Sequence, residues 1–182
     1  ILNSKQKDCS YPEKMLCGAG VVFKLVQALI AKKNTDWQLK EGAEKWFLDM
    51  VGLATLSDMV PLIGENRVFA YYGLKVLRKS PRVGLMKLLR KIKVEQKHIA
   101  EDDIGFTITP RINAASRMGA PMDAFRLLST SDETVADDLS SHLIKLNDER
   151  KGLVASMIKE MKHTVSSRAD SAGKKEVIVL GN

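Results

Sequence analysis

Cysteine is scarce in this chain: Cys9 and Cys17 are the only two among 182 residues. Two thiols eight positions apart cannot build a disulfide framework and match no common zinc pattern, so both are expected to be reduced packing residues. Long apolar runs are lacking too, which leaves no segment able to span a bilayer as a helix. There is no internal repeat and no low-complexity tract. The chain opens at Ile1 without a charged leader or signal peptide and stops in an apolar, strand-like stretch, so it is expected to be a piece of a longer protein.

What is present describes a globular chain. Hydrophobic residues make up 45% and charged residues 28%, enough to build a sizeable core. The formal charge is +7, and its distribution says more than its total. From Lys75 to Lys97 nine basic residues face a single acid, Glu95. Such concentration is the footprint of a surface that meets phosphates, although a solvated helix face gives the same count. Arg78, Lys79, Lys87, Arg90 and Lys91 are the candidate nucleic-acid contacts.

Helical patterning dominates. A helix from Val21 to Lys33, entered through Gly18-Ala19-Gly20, is expected to be buried on most of its circumference. Asn34-Thr35-Asp36 breaks it, and further helices are predicted from about Gly42 to Met59, Asn66 to Arg78, Val83 to Lys93 and Pro121 to Leu128. In the Val83 helix Leu85, Leu88, Leu89 and Ile92 form one stripe, with lysines and arginines largely away from it. Ser131-Asp132-Glu133 then caps a one-faced helix of about 30 residues, roughly 45 Å long at 1.5 Å per residue, which suits a connector between domains. Ser166 to Gly173 reads as a polar linker and Lys175 to Asn182 as a strand.

Two places carry chemistry. Asp58 sits in the last turn of an apolar helix, where the dipole and desolvation both oppose its charge, so it needs a cation: a metal ion, or Arg67 or Arg111. Between Thr109 and Gly119, Arg111 and Arg117 stand near Asn113 in a small, otherwise uncharged segment. Guanidinium forks suit phosphate oxygens, while a plain helix start with Pro110 in its first turn is the alternative.

Several stretches together resemble the RecJ single-stranded-DNA exonucleases of the DHH phosphoesterase superfamily. They are Leu16-Cys17-Gly18-Ala19-Gly20-Val21, Ala54 to Leu62 with Gly64-Glu65-Asn66-Arg67, Ile104-Gly105-Phe106 leading into Pro110 to Gly119, and Leu146 to Arg150. The resemblance implies a fold that is mainly α here: the helical C-terminal part of an α/β DHH phosphoesterase domain over 1–130, a long connector helix and linker over 131–170, and the first strand of a DHH-associated domain over 171–182. It implies a metal-dependent 5′ to 3′ exonuclease of recombination and repair, cytoplasmic and of bacterial type, using Mn2+ or Mg2+. Its partners would be single-stranded DNA, with single-strand-binding protein and other repair factors.

In that frame Asp58 matches the family's last metal-binding aspartate, and Arg111, Asn113 and Arg117 would hold substrate phosphate. Ser116 departs from the family's glycine and Ser57 from its alanine. The Asp-His-His signature is missing, since His98, His142 and His163 are scattered. The chain alone is therefore expected to be inactive. A non-catalytic nucleic-acid-binding relative, or a phosphodiesterase for short RNA or cyclic dinucleotides, remains open.

Overall fold

The computed structural model describes residues 1–32 and 42–169. The expected break at Asn34-Thr35-Asp36 and the strand from Lys175 lie outside them. The described residues are helical, with no strand among them. In order they form α1 (Gly18–Ala31), a 3-10 turn (Ala43–Phe47), α2 (Leu48–Ser57), α3 (Gly64–Leu77), α4 (Val83–Lys91), a 3-10 turn (Gln96–His98), a π-helical segment (Asp103–Ile108), α5 (Thr109–Arg117), α6 (Pro121–Ser129) and α7 (Glu133–Ala169).

Helices α2 and α3 form a hairpin whose crossing is set by two glycines. A Cβ added to Gly73 would lie 2.4 Å from the Gly52 Cα, so neither position can carry a side chain without parting the backbones. Asn66, fully buried on α3, donates to the carbonyls of Met15 and Pro61 at 2.9 and 3.1 Å and thereby ties the irregular N-terminal segment and the α2–α3 turn to one side chain. A small core of Leu16, Phe23, Val51 and Phe69 seals α1 against this hairpin. Cys17, buried and unoxidised, caps α1 by accepting from the Gly20 N–H.

The larger core lies under α4 to α7. Leu77, Leu85, Leu88, Ile99, Ile104, Ile108, Leu127 and Leu143 are fully enclosed there, each worth about 1.5–3 kcal/mol by transfer from water. The α4 stripe is thus inward as its spacing predicts. Helix α7 starts at Asp132, whose carboxylate accepts from the N–H groups of Thr134 and Val135.

Two expectations are corrected. Helix α1 is not buried around most of its circumference: only Gly20 and Phe23 are enclosed, while Val22 and Leu25 face outward, because among the described residues only one side of α1 meets a neighbour. Helix α7 runs for 37 residues and continues through Ser166 to Ala169, so the polar stretch does not open a linker at Ser166. Serine and alanine are acceptable helix formers, and the Ser166 hydroxyl bonds back to the Lys162 carbonyl. Gly152 lies within the helix without ending it.

Candidate nucleic-acid and metal site

Asp58 caps the C-terminus of α2, and Met59 follows it with φ 51°, the left-handed geometry that reverses a chain after a helix. Asp58 is exposed and has no ion pair among the described residues, with Arg67 or Arg111 or otherwise. The expectation of an apolar setting is therefore corrected. Water solvates the carboxylate at the negative end of the helix, and the helix core, one turn back, holds no charge there.

The buried carboxylate of α2 is instead Asp49. It accepts from Ser80 Oγ at 2.6 Å, from Arg82 Nε at 2.8 Å and from Arg82 Nη2 at 3.4 Å, and its side chain is 2% exposed. This pair joins α2 to the turn before α4 and is structural.

The turn that carries Asp58 reaches the arginine segment through one contact. Ser57 Oγ lies 2.6 Å from Thr109 Oγ1, and Thr109 directly precedes Pro110 and Arg111. The polypeptide enters α5 through the π-helical segment. Pro110 has no N–H and its ring crowds the carbonyl four residues back, and the wider i→i+5 turn before it relieves that conflict. Pro110 thus stands in the first turn of α5, as the helix-start reading expects, and that turn is entered from a π-helical segment.

Arg111 folds back so that its Nη1 donates to the Thr107 carbonyl, and its Nε is buried without a hydrogen-bond partner. Asn113 and Arg117, four residues apart, share one exposed face of α5. At 100° per residue Arg111 is turned about 120° from Arg117. The structure thus brings Asn113 and Arg117 together and sets Arg111 apart.

Between the Asp58 turn and the π-helical segment lies an open cleft of about 270 Å³, lined by Thr55, Leu56, Met59 and Val60 on one side and Glu101, Asp102, Gly105 and Phe106 on the other. Glu101 and Asp102 belong to the site's surroundings, yet their only sequence signal was that acidic residues favour a helix start. Among the described residues no group of three or more histidine, cysteine, aspartate or glutamate side chains could hold a metal ion. Asp58 fits a divalent cation as one hard oxygen ligand.

The basic segment divides as well. Lys87 pairs with Glu133 at 3.1 Å and Lys91 with Asp137 at 2.8 Å, so these two fasten α4 to the first turns of α7. The Lys91 hydrogen bond holds the Asp137 carboxyl below its usual range. Arg78 donates through Nε to the Ile99 carbonyl. Arg90 and Lys79 remain exposed.

This architecture is an all-helical one among the described residues. It superposes on the crystal structure of RecJ in complex with Mn2+ from Thermus thermophilus with a TM-score of 0.72 and 33% identity, covering 86% of this chain and 22% of that one. A crystal structure of exonuclease RecJ bound to manganese matches equally, at TM-score 0.72, over 85% of this chain and 37% of that one.

By sequence, the chain is 35% identical over 160 residues to the single-stranded-DNA-specific exonuclease RecJ of Bacillus subtilis, covering 88% of this chain and 19% of the relative. It is 35% identical over 144 residues to RecJ of Thermus thermophilus. No family model matches. The chain is thus a homologue of a segment of the RecJ-type single-stranded-DNA-specific exonucleases, and the resemblance carried by its motif residues is borne out. It spans about one fifth of the length of the Bacillus subtilis protein.

Proposed function

We propose that this chain forms the substrate-facing helical part of a metal-dependent exonuclease that removes nucleotides from single-stranded DNA in the 5′ to 3′ direction. The observation that supports the reading most is the Ser57–Thr109 hydrogen bond, which holds the Asp58 turn against the helix carrying Arg111, Asn113 and Arg117. Arg117 and Asn113 present a guanidinium and an amide on one open face, the donor set for a phosphate oxygen pair. Arg111 is the positioning member, its fork anchored on Thr107. Asp58 supplies one carboxylate to a cation whose remaining ligands lie outside the described residues. The chain by itself is inactive on this reading, and α7 serves as the connector to a further domain. The soluble, cytoplasmic setting and the repair partners follow from the same reading; no helix among the described residues is long and apolar enough to cross a membrane.

The test uses the complete open reading frame that contains this chain. Release of nucleotides from 5′-phosphorylated single-stranded DNA with manganese is compared between wild type and Asp58→Ala. Undiminished release in the variant would sink the assignment of Asp58.

A further inference from the structure

The outward face of α3 has an unusual composition. Val68, Tyr71, Tyr72 and Lys75 on α3, and Lys79 in the turn just past its end, recur at helical spacing of three and four, and all are exposed. The opposite stripe, Asn66, Phe69, Ala70, Gly73 and Leu77, makes the core contacts. The two tyrosine rings meet edge to face with centroids 5.1 Å apart. The Lys75 ammonium lies 4.2 Å from the Tyr71 centroid and 5.6 Å from that of Tyr72. One turn further on, Lys79 sits 5.9 Å from the ring of Trp46, which opens the path to α2 and is 50% exposed.

Cation–π contact alone would make this an ordinary surface cluster. Two further features argue otherwise. Tyr71 and Tyr72 are 55% and 49% exposed, and with Trp46 on the 3-10 turn before α2 they put three large rings in water beside the ammonium groups of Lys75 and Lys79. No acidic residue occurs between Glu65 and Glu95, so nothing on α3 beyond its first turn repels an anion. Rings alternating with cations on an acid-free face suit a polymer whose flat bases alternate with phosphates. A duplex does not fit, because its bases are already stacked on one another.

We propose that the Trp46, Lys79, Lys75, Tyr72, Tyr71 face is a binding track for single-stranded nucleic acid, with bases stacked on the rings and phosphates on the lysines. From Tyr71 to Lys79 the track runs roughly 12 Å along the end of α3 and the turn that closes it, room for about three stacked nucleotides. It goes beyond the cleavage reading, since neither Asp58 nor Arg111 takes part. Because α2 and α3 are antiparallel, the Trp46 end lies at the far end of the hairpin from Asp58.

The experiment is fluorescence anisotropy of a short labelled oligothymidylate with the 182-residue chain in low salt and EDTA, where metal-dependent hydrolysis plays no part and its failure cannot imitate this one. The paired variant Tyr71→Ala/Tyr72→Ala is expected to bind about tenfold or more weakly. Tyr71→Phe/Tyr72→Phe keeps the rings and should bind as wild type, and Lys75→Gln/Lys79→Gln should flatten the salt dependence. In a Trp37→Phe background, Trp46 fluorescence should be quenched on titration. Binding of the double alanine variant within about twofold of wild type, with its helicity intact by circular dichroism, would overturn the track. Equal affinity for duplex, or unquenched Trp46, would overturn it as well.

Discussion

Replacing Gly73 by alanine probes the contact that sets the geometry of the α2–α3 hairpin, and with it the position of Asp58. The new Cβ would lie 2.4 Å from the Gly52 Cα and 2.8 Å from the Leu48 carbonyl oxygen, both backbone atoms that no rotamer change can move. Restoring ordinary contact requires the two helices to part by roughly 1 Å, and overpacking of this kind costs about 1–3 kcal/mol. The upper end applies, because separation also loosens Val51 and Phe69 in the small core. Against this, alanine returns about 1 kcal/mol of helix propensity. The expected net loss is about 2 kcal/mol, a fall in Tm of about 4–8 °C for a chain of this size. Gly152→Ala is the matched control, since nothing lies within 4 Å of its added Cβ; it should leave stability unchanged or raise it by up to about 1 kcal/mol. Urea and thermal melts followed by far-ultraviolet circular dichroism read both. A Gly73→Ala chain as stable as wild type would refute the close-approach argument.

Removing the Asp49 carboxylate by Asp49→Ala leaves Arg82 and Ser80 facing a buried void and should cost about 3–5 kcal/mol in urea melts, far more than Asp58→Ala on its exposed cap. Burial alone would raise the Glu65 carboxyl, but the hydrogen bonds from Lys24 and Tyr11 reverse it and leave it below its ordinary value. A depressed carboxylate contributes stability above its unfolded value and loses it as pH falls through the folded one, so wild type should weaken as pH falls below the ordinary carboxylate range. Glu65→Gln should flatten that limb when stability is followed against pH. On the proposed reading Arg117→Ala removes charge-assisted bonds to phosphate, so the complete open reading frame's product should show a KM for single-stranded DNA raised about tenfold, with little change in protein stability.

Local patterning made α4 readable: leucines at steps of three and four face inward in the structure as their spacing demands. Asp49 was not readable as the buried acid. Its partners Ser80 and Arg82 stand more than thirty positions away, and only the turn before α4 brings them to α2. Asp58 misled for the opposite reason, since an apolar helix implies burial only until its last residue turns to water. Lys87 and Lys91 read as free cations because their acids, Glu133 and Asp137, belong to another helix. The α3 track carries a visible signal, tyrosine and lysine at helical spacing without acids, but the lysines alone invite attention to charge and not to the rings.

The π-helical segment before Pro110 acts on everything downstream as a change of phase. An i→i+5 turn holds one residue more than an α turn, so each side chain after Ile108 is rotated by about 100° from where an unbroken α-helix would put it. The bearing of Arg111, Asn113 and Arg117 relative to the Asp58 turn is therefore set by a residue count within Asp103–Ile108 as much as by their own identities. Deleting one residue there would keep every arginine and turn each of them to a new bearing relative to the Asp58 turn.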